Sequence, residues 1–282
     1  MTIVTRFAPS PTGHLHVGHA YSATLAYKQA MEGSGRFLLR MEDIDPTRCR
    51  SEYEEVIYDD LKWLGLTWEE PVRKQSEHME DYAAVLDRLF DRGLIYPCFC
   101  TRREITAEIA RSYSAPHGPE GPLYPGTCKS LSHKERDQKF EQEKPYALRL
   151  DMAAALKLVD VSQLFFQETD KGTIQCNPFK FGDVVLARKD TPTSYHLAVT
   201  LDDAFQGVTL VVRGQDLFDA THLHRLLQHL LDLPTPRYMH HGLVSDMKGQ
   251  RLAKRDKSVT LQVIRENGYS QSDVRKLIGF KI

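Results

Sequence analysis

Apolar and polar positions along this chain switch between a period of two and a period near 3.6, and the switches mark its elements. Ile3 to Phe7 is a short β-prone run, Pro9 to Gly13 turns the chain, and Val17 to Met31 carries helical periodicity. A second apolar strand, Phe37 to Met41, runs into the acidic turn Glu42-Asp43-Ile44-Asp45-Pro46. Strand, helix, strand is the opening of a parallel α/β sheet. Two amphipathic helices follow, Glu52 to Trp63 and Met79 to Arg92, the second closed by Gly93. From Pro97 to Lys144 the pattern breaks into clustered cysteines, a Pro/Gly-rich loop from Ala115 to Gly126, and a mixed-charge run from Lys129 that reads as a solvated helix. Strand-like stretches resume at Tyr146 to Leu150, Asp183 to Ala187, Tyr195 to Thr200 and Val208 to Val212. Helix Asp219 to Leu231 then sets Leu223, Leu226, Leu227, Leu230 and Leu231 at helical spacing for core packing. The pattern predicts a sheet interrupted by an insertion and then completed. Past Pro234 come a loop with Arg251-Leu252-Ala253-Lys254-Arg255 and two short helices, and no internal repeat is evident.

A length of 282 residues calls for two or three compact units. No apolar run reaches the roughly 18 residues that span a bilayer, and the first twenty residues lack a signal peptide's apolar core. A cytoplasmic chain with no membrane partner is therefore expected. With a formal net charge of -1 and a pI near 6.9, any nucleic-acid contact must be local rather than a basic coat. Three of the five cysteines cluster between positions 98 and 128, which suits a metal site in a reducing compartment better than a disulfide framework. Cys49 and Cys176 stand alone and read as packing residues.

The densest chemistry lies at His16-Val17-Gly18-His19, where the first strand gives way to the first helix. Backbone N–H groups and the helix dipole favour an anion there, Gly18 permits close approach, and both imidazoles offer donors. The alternative is structural, with one imidazole capping the turn and the other exposed. Neither a Gly-x-Gly-x-x-Gly nor a Gly-x₄-Gly-Lys-[Ser/Thr] motif competes for nucleotide. Cys98, Cys100 and Cys128 offer three thiolates from two loops, as structural zinc sites do. Chemistry alone suggests His117 or His133 as a fourth ligand, and three buried reduced cysteines remain the metal-free alternative.

Four motifs occur in order: Arg6 to His19, Leu38 to Pro46, Tyr195-His196-Leu197-Ala198 with Val212-Arg213-Gly214, and Arg251 to Arg255. Together they resemble the catalytic half of class I aminoacyl-tRNA synthetases of the glutamate and glutamine branch, the first as the "HIGH" signature and the last as a "KMSKS"-like loop. The similarity is greatest to the short members that glutamylate queuosine in tRNA(Asp), so no anticodon-binding domain is expected. The resemblance implies a Rossmann-type parallel sheet in two halves, 1–96 and 191–240. Between them, 97–190 would form an inserted zinc-binding, acceptor-binding-like subdomain, and 241–282 a helical stem-contact-like region with the "KMSKS"-like loop.

The same resemblance implies ATP-dependent activation of L-glutamate to glutamyl-adenylate and its transfer, by a monomer, to the queuosine base at the wobble position of tRNA(Asp). His16, Gly18 and His19 would bind ATP at the α-phosphate, and Lys254 would meet the departing phosphates, assisted by Arg251 or Arg255, with Mg²⁺ accompanying the nucleotide. Arg6 and Arg213 would clamp the glutamate side-chain carboxylate with Tyr195, Glu42 would accept from its ammonium group, and Ala8 and Ser10 would complete the pocket. Glutamine would leave that clamp poorly paired. Tyr124 would join Cys98, Cys100 and Cys128 on one structural Zn²⁺.

Two motifs depart from the pattern: in the loop Ala253 replaces the usual serine and Arg251 the first lysine, and in the first motif His19 fills a position where many members of the branch carry another residue. Competing readings are a truncated glutamyl-tRNA synthetase charging a tRNA 3′ end and a non-catalytic RNA-binding relative. At single sites the alternatives are an Arg6–Glu42 ion pair, Asp43 and Asp45 as capping residues, and Lys254 as an exposed loop cation. Arg102, Arg103 and Lys129 are candidate RNA contacts.

Overall fold

Two parallel half-sheets meet side by side and position everything that follows. The computed structural model describes residues 2–111, 117–242 and 260–280. The first half runs β1 (Val4–Phe7), α1 (Val17–Glu32), β2 (Arg36–Met41), α2 (Ser51–Trp63), β3 (Glu69–Lys74) and α3 (Met79–Asp91), with strand order β1-β2-β3. A smaller sheet follows from β4 (Ile95–Cys98), past α4 (Arg102–Arg111), the two-residue strands β5 (His117–Gly118) and β6 (Gly121–Pro122), and α5 (His133–Glu141). Its other strands are β7 (Ala147–Leu150), which precedes α6 (Met152–Lys157), and β10 (Val185–Ala187), which comes after the hairpin β8 (Phe165–Glu168) and β9 (Gly172–Gln175). The second half is α7 (Tyr195–Phe205), β11 (Leu210–Gly214), α8 (Ala220–Leu230) and β12 (Arg237–His241), and α9 (Leu261–Glu266) and α10 (Gln271–Leu277) close the described chain.

The halves join at β1 and β11, where the Thr209 N–H donates to the Val4 carbonyl at 2.9 Å and α1 packs across both. Alternate residues point to opposite faces. Val4, Leu38 and Val211 enter a core with α3 and α8, while Phe7, Leu39 and Val212 enter a second core with α1, α2 and the two C-terminal helices. Both faces are thus covered, as an α/β parallel sheet requires. The expected leucines of α8 are all buried, and the mixed-charge helix α5 buries none of its residues.

Tyr195 to Thr200, expected as a strand, is instead the first half of helix α7. The Ser194 hydroxyl accepts the Leu197 N–H and caps it, and Val199 and Thr200 gave the run its strand-like composition. Residues 165–175, expected within the insertion, extend the second half-sheet, because β8 lies parallel to β12. β3 was missed because it is charged and largely exposed, so it shows no alternating apolar face.

Candidate active site

The turn before α1 is built by its own imidazoles. His16 is the N-cap, and its Nδ1 accepts the Gly18 N–H at 3.1 Å while the Nδ1 of His19 accepts the His16 N–H at 3.2 Å. Each neutral ring therefore carries its proton on Nε2. The rings stack with centroids 3.8 Å apart, so both imidazoles cap the turn and neither is fully exposed. Gly18 leaves no spare room, since a Cβ there would sit 3.0 Å from Cε1 of His16. Thr260 bridges His16, the Leu261 N–H donates to the Leu15 carbonyl at 2.9 Å, and His241 Nε2 lies 2.6 Å from Ser22 Oγ. Both flanks of 243–259 are thereby anchored to this turn and to α1. Lys254, with Arg251, Ala253 and Arg255, lies outside the described residues.

Arg213, near the carboxyl end of β11, is 5% exposed and is held by neutral groups. It donates from Nε to His240 Nε2 (3.1 Å), from Nη2 to Thr221 Oγ1 (2.7 Å), and from Nη1 to Tyr195 Oη (3.4 Å) and His224 Nδ1 (3.3 Å). Among the described residues no carboxylate pairs with it. Burial, reinforced by Arg213 itself, holds His224 well below the usual histidine range and His240 at about 3. Both rings are therefore neutral, and the guanidinium charge is left uncompensated at contact distance.

The second arginine of the site is arranged in the opposite way. Arg6 on β1 meets Asp203 of α7 with two contacts, Nε–Oδ1 at 2.9 Å and Nη2–Oδ2 at 3.3 Å, and gives Nη1 to the Val212 carbonyl. Arg40 of β2, fully buried, reaches the same Asp203 at 2.9 Å and Glu42 at 3.2 Å. Asp202 accepts from Arg73 (2.8 Å), Gln75 (2.8 Å) and Tyr82, so two adjacent acids of α7 tie down β1, β2 and β3. The expected alternative of an Arg6–Glu42 pair is thus replaced by Arg6–Asp203 and Arg40–Glu42. Burial would raise the Asp203 carboxyl, but Arg6 and Arg40 hold it below its ordinary value. Burial outweighs the same two cations at Glu42 and pushes that carboxyl up. Ala8 and Ser10 sit beside Glu42 on the loop whose Pro9 carbonyl accepts the Glu42 N–H at 3.0 Å.

These groups gather at the carboxyl ends of the parallel strands, beside the β1–β11 junction where the strand order reverses, which is where open α/β sheets bind ligands. The sequence profile of tRNA synthetases class I (E and Q), catalytic domain, matches residues 2–280. The chain belongs to the class I tRNA synthetases of this type. It is similar to the Glutamyl-Q tRNA(Asp) synthetase of Rhodobacter capsulatus, with 48% identity over 98% of this chain and 100% of that protein. A Glutamate--tRNA ligase of Aquifex aeolicus shares 38% identity over 95% of this chain and 54% of its own length. Among solved structures, a glutamate tRNA ligase from Elizabethkingia meningosepticum, crystallised in complex with its amino acid, superposes with a TM-score of 0.77 at 27% identity, over 95% of this chain. This chain spans about half of that ligase, 54% of it.

Elsewhere in this synthetase, the Sγ atoms of Cys98, Cys100 and Cys128 lie within 4.8 Å of one another. The Tyr124 Oη is 3.5 Å from Cys100 Sγ and accepts the Cys128 N–H at 2.9 Å, while Arg149 lies over the Tyr124 ring. His133 is exposed at the start of α5 and takes no part in the group, and the His117 side chain lies outside the described residues. Lys129 pairs with Asp151 at 2.6 Å and Asp183 at 3.7 Å. Arg102 and Arg103 are exposed on α4. Asp45 accepts from the Thr47 N–H (3.1 Å) and Arg48, and Asp43 from the Ser76 N–H (2.8 Å); both make structural contacts, but neither is a helix N-cap, since Arg50 precedes α2 and Lys74 the short helix that holds Ser76.

Sequence reasoning missed Arg40, Asp202, Asp203, Thr221, His224, His240 and Glu168. Only the Asp202-Asp203 couplet carried a signal, two acids inside an otherwise apolar run.

Proposed function

We propose that this synthetase activates L-glutamate with ATP to glutamyl-adenylate and transfers the glutamyl group to the queuosine base at the wobble position of tRNA(Asp). The observation that carries the reading is the buried Arg213 guanidinium, which neutral acceptors orient and which, among the described residues, no carboxylate neutralises. A substrate carboxylate completes that hollow, with Tyr195 at its edge and Arg6 adding donors from a neutralised base. Glu42 takes the ammonium group, and Ala8 and Ser10 line the pocket. The substrate α-carboxylate attacks the α-phosphorus, the bond to the bridging oxygen breaks, and pyrophosphate leaves. His16 and His19 serve the α-phosphate through Nε2–H, with the Gly18 turn giving close approach. Lys254 meets the departing phosphates, and Mg²⁺ neutralises nucleotide charge. Such chemistry depends on positioning and charge stabilisation.

The three thiolates suit a structural zinc ion, because sulfurs about 2.3 Å from a tetrahedral ion lie roughly 3.8 Å apart, within the 4.8 Å that encloses these atoms. Tyr124 is the fourth donor in this reading. Its role is to staple the insertion.

The test supplies labelled glutamate and ATP with tRNA(Asp) carrying or lacking queuosine. Label on the queuosine-containing tRNA alone is expected, and equal labelling of both refutes the transfer. The likeness to the Aquifex aeolicus ligase favours a second reading, charging of a tRNA 3′ end. Periodate treatment of the product separates the two, since the esters occupy different diols.

A further inference from the structure

Arg6 and Arg213 stand in one site with opposite electrostatic settings, and the difference lies in what touches each. Arg6 touches a carboxylate directly. Among the described residues, Arg213 reaches carboxylates only through imidazoles. The Glu168 side chain is 1% exposed and accepts the backbone N–H of His240 at Oε1 (2.8 Å), while its Oε2 lies 2.7 Å from His240 Nδ1. A guanidinium only donates, so His240 Nε2 accepts the Arg213 Nε–H and the ring proton sits on Nδ1, facing Glu168 Oε2. The ring is pinned in that direction by Tyr238, stacked at an interplanar angle of 6°, and by the edge of Phe218.

A second relay runs the same way. Arg213 donates to His224 Nδ1, His224 Nε2 lies 3.1 Å from His196 Nδ1, and His196 Nε2 lies 2.9 Å from the half-exposed Glu120. Every proton in both relays points away from the guanidinium and toward an acid. The guanidinium is thereby oriented without losing its charge.

We propose that Glu168, acting through His240, is a positioning residue that sets this site's preference for a carboxylate over an amide. The proposal rests on the glutamate-activating reading and names the part of the pocket that makes it selective. A carboxylate in direct contact with Arg213 would neutralise it, as Asp203 does Arg6, and an amide substrate would then fit as well. An absent one would leave the His240 tautomer free to turn an N–H toward the Arg213 Nε–H, two donors face to face.

The test is Glu168→Gln, whose amide favours the Nε2–H tautomer of His240. In glutamate-dependent ATP–pyrophosphate exchange, the KM for glutamate should rise about 10-fold or more while the KM for ATP holds. The ratio of kcat/KM for glutamate over glutamine should fall by a similar factor. In ¹⁵N spectra of histidine-labelled protein, wild-type His240 should report the Nδ1–H tautomer. Wild type that exchanges, with a variant whose KM and selectivity stay within about twofold, overturns the relay. Wild-type His240 protonated on Nε2 overturns it even if the variant does not fold. Wild type without any glutamate-dependent exchange overturns the functional reading instead, which keeps the two failures apart.

Discussion

Asp60 is a buried carboxyl that the fold leaves without a hydrogen bond, and replacing it with asparagine should stabilise the protein in a pH-dependent way. The side chain, on α2, has no exposed area, and among the described residues neither oxygen has a hydrogen-bond partner and the nearest cation is Arg265 Nη1 of α9 at 4.0 Å. Burial pushes the carboxyl up to about 6, with Arg265 and His14 pulling only weakly the other way. The native chain therefore keeps a proton that the unfolded chain has released. That advantage is complete below the unfolded value of about 4 and is lost as pH rises through the folded value of about 6. A gap of about two units amounts to about 3 kcal/mol against the ionised native state at pH 8, and to only about 1 kcal/mol at pH 4.5.

Asp60→Asn, which cannot ionise, should recover up to those amounts, less about 1 kcal/mol for its own unpaired amide. Urea unfolding at the two pH values, read as the midpoint at constant m, measures the difference. An advantage that is equal at both pH values, or larger at the lower one, refutes the reasoning. The seam matters for function, because α9 follows Thr260, the residue that bridges His16.

Arg213→Lys keeps the charge but loses the fork that serves His240 and Thr221, so glutamate kcat/KM in the exchange assay should fall about 100-fold. A loss under about fivefold would contradict the assigned clamp. Gly18→Ala places a methyl 3.0 Å from the His16 ring, which must give by a few tenths of an ångström. Exchange should drop about 10-fold or more while thermal stability holds within about 1 kcal/mol, since alanine favours the helix; equal activity would show that the ring need not stay where it is. Elemental analysis should find one zinc per chain, removal by a chelator should lower the melting temperature, and Cys128→Ser should cut the zinc content; metal-free protein with an unchanged melt would refute the staple.

The imidazole turn was legible because its parts are neighbours in the chain. His16, Gly18 and His19 cap one another within a single helical turn, and local hydrogen bonds need no distant partner. The cysteine group was legible for a related reason, since few residue types can do its chemistry. Element order along β1, α1, β2 and the leucine face of α8 followed from periodicity alone, because burial on one side of a helix or both sides of a strand is written in spacing. Tyr195 to Thr200 failed on the same criterion, for its β-branched residues mimic a strand and its cap works through one serine hydroxyl.

What the linear chain determined is thus the set of groups available and the local turns that present them. Their charge states were decided only by folding. Arg6 and Arg213 are the same residue type on adjacent strands, yet Asp203 from α7 neutralises one and the imidazoles of His224 and His240 leave the other cationic. Those partners lie up to 197 positions away. Coulomb energy and desolvation depend on distance through space, and no spacing rule along a sequence carries that information.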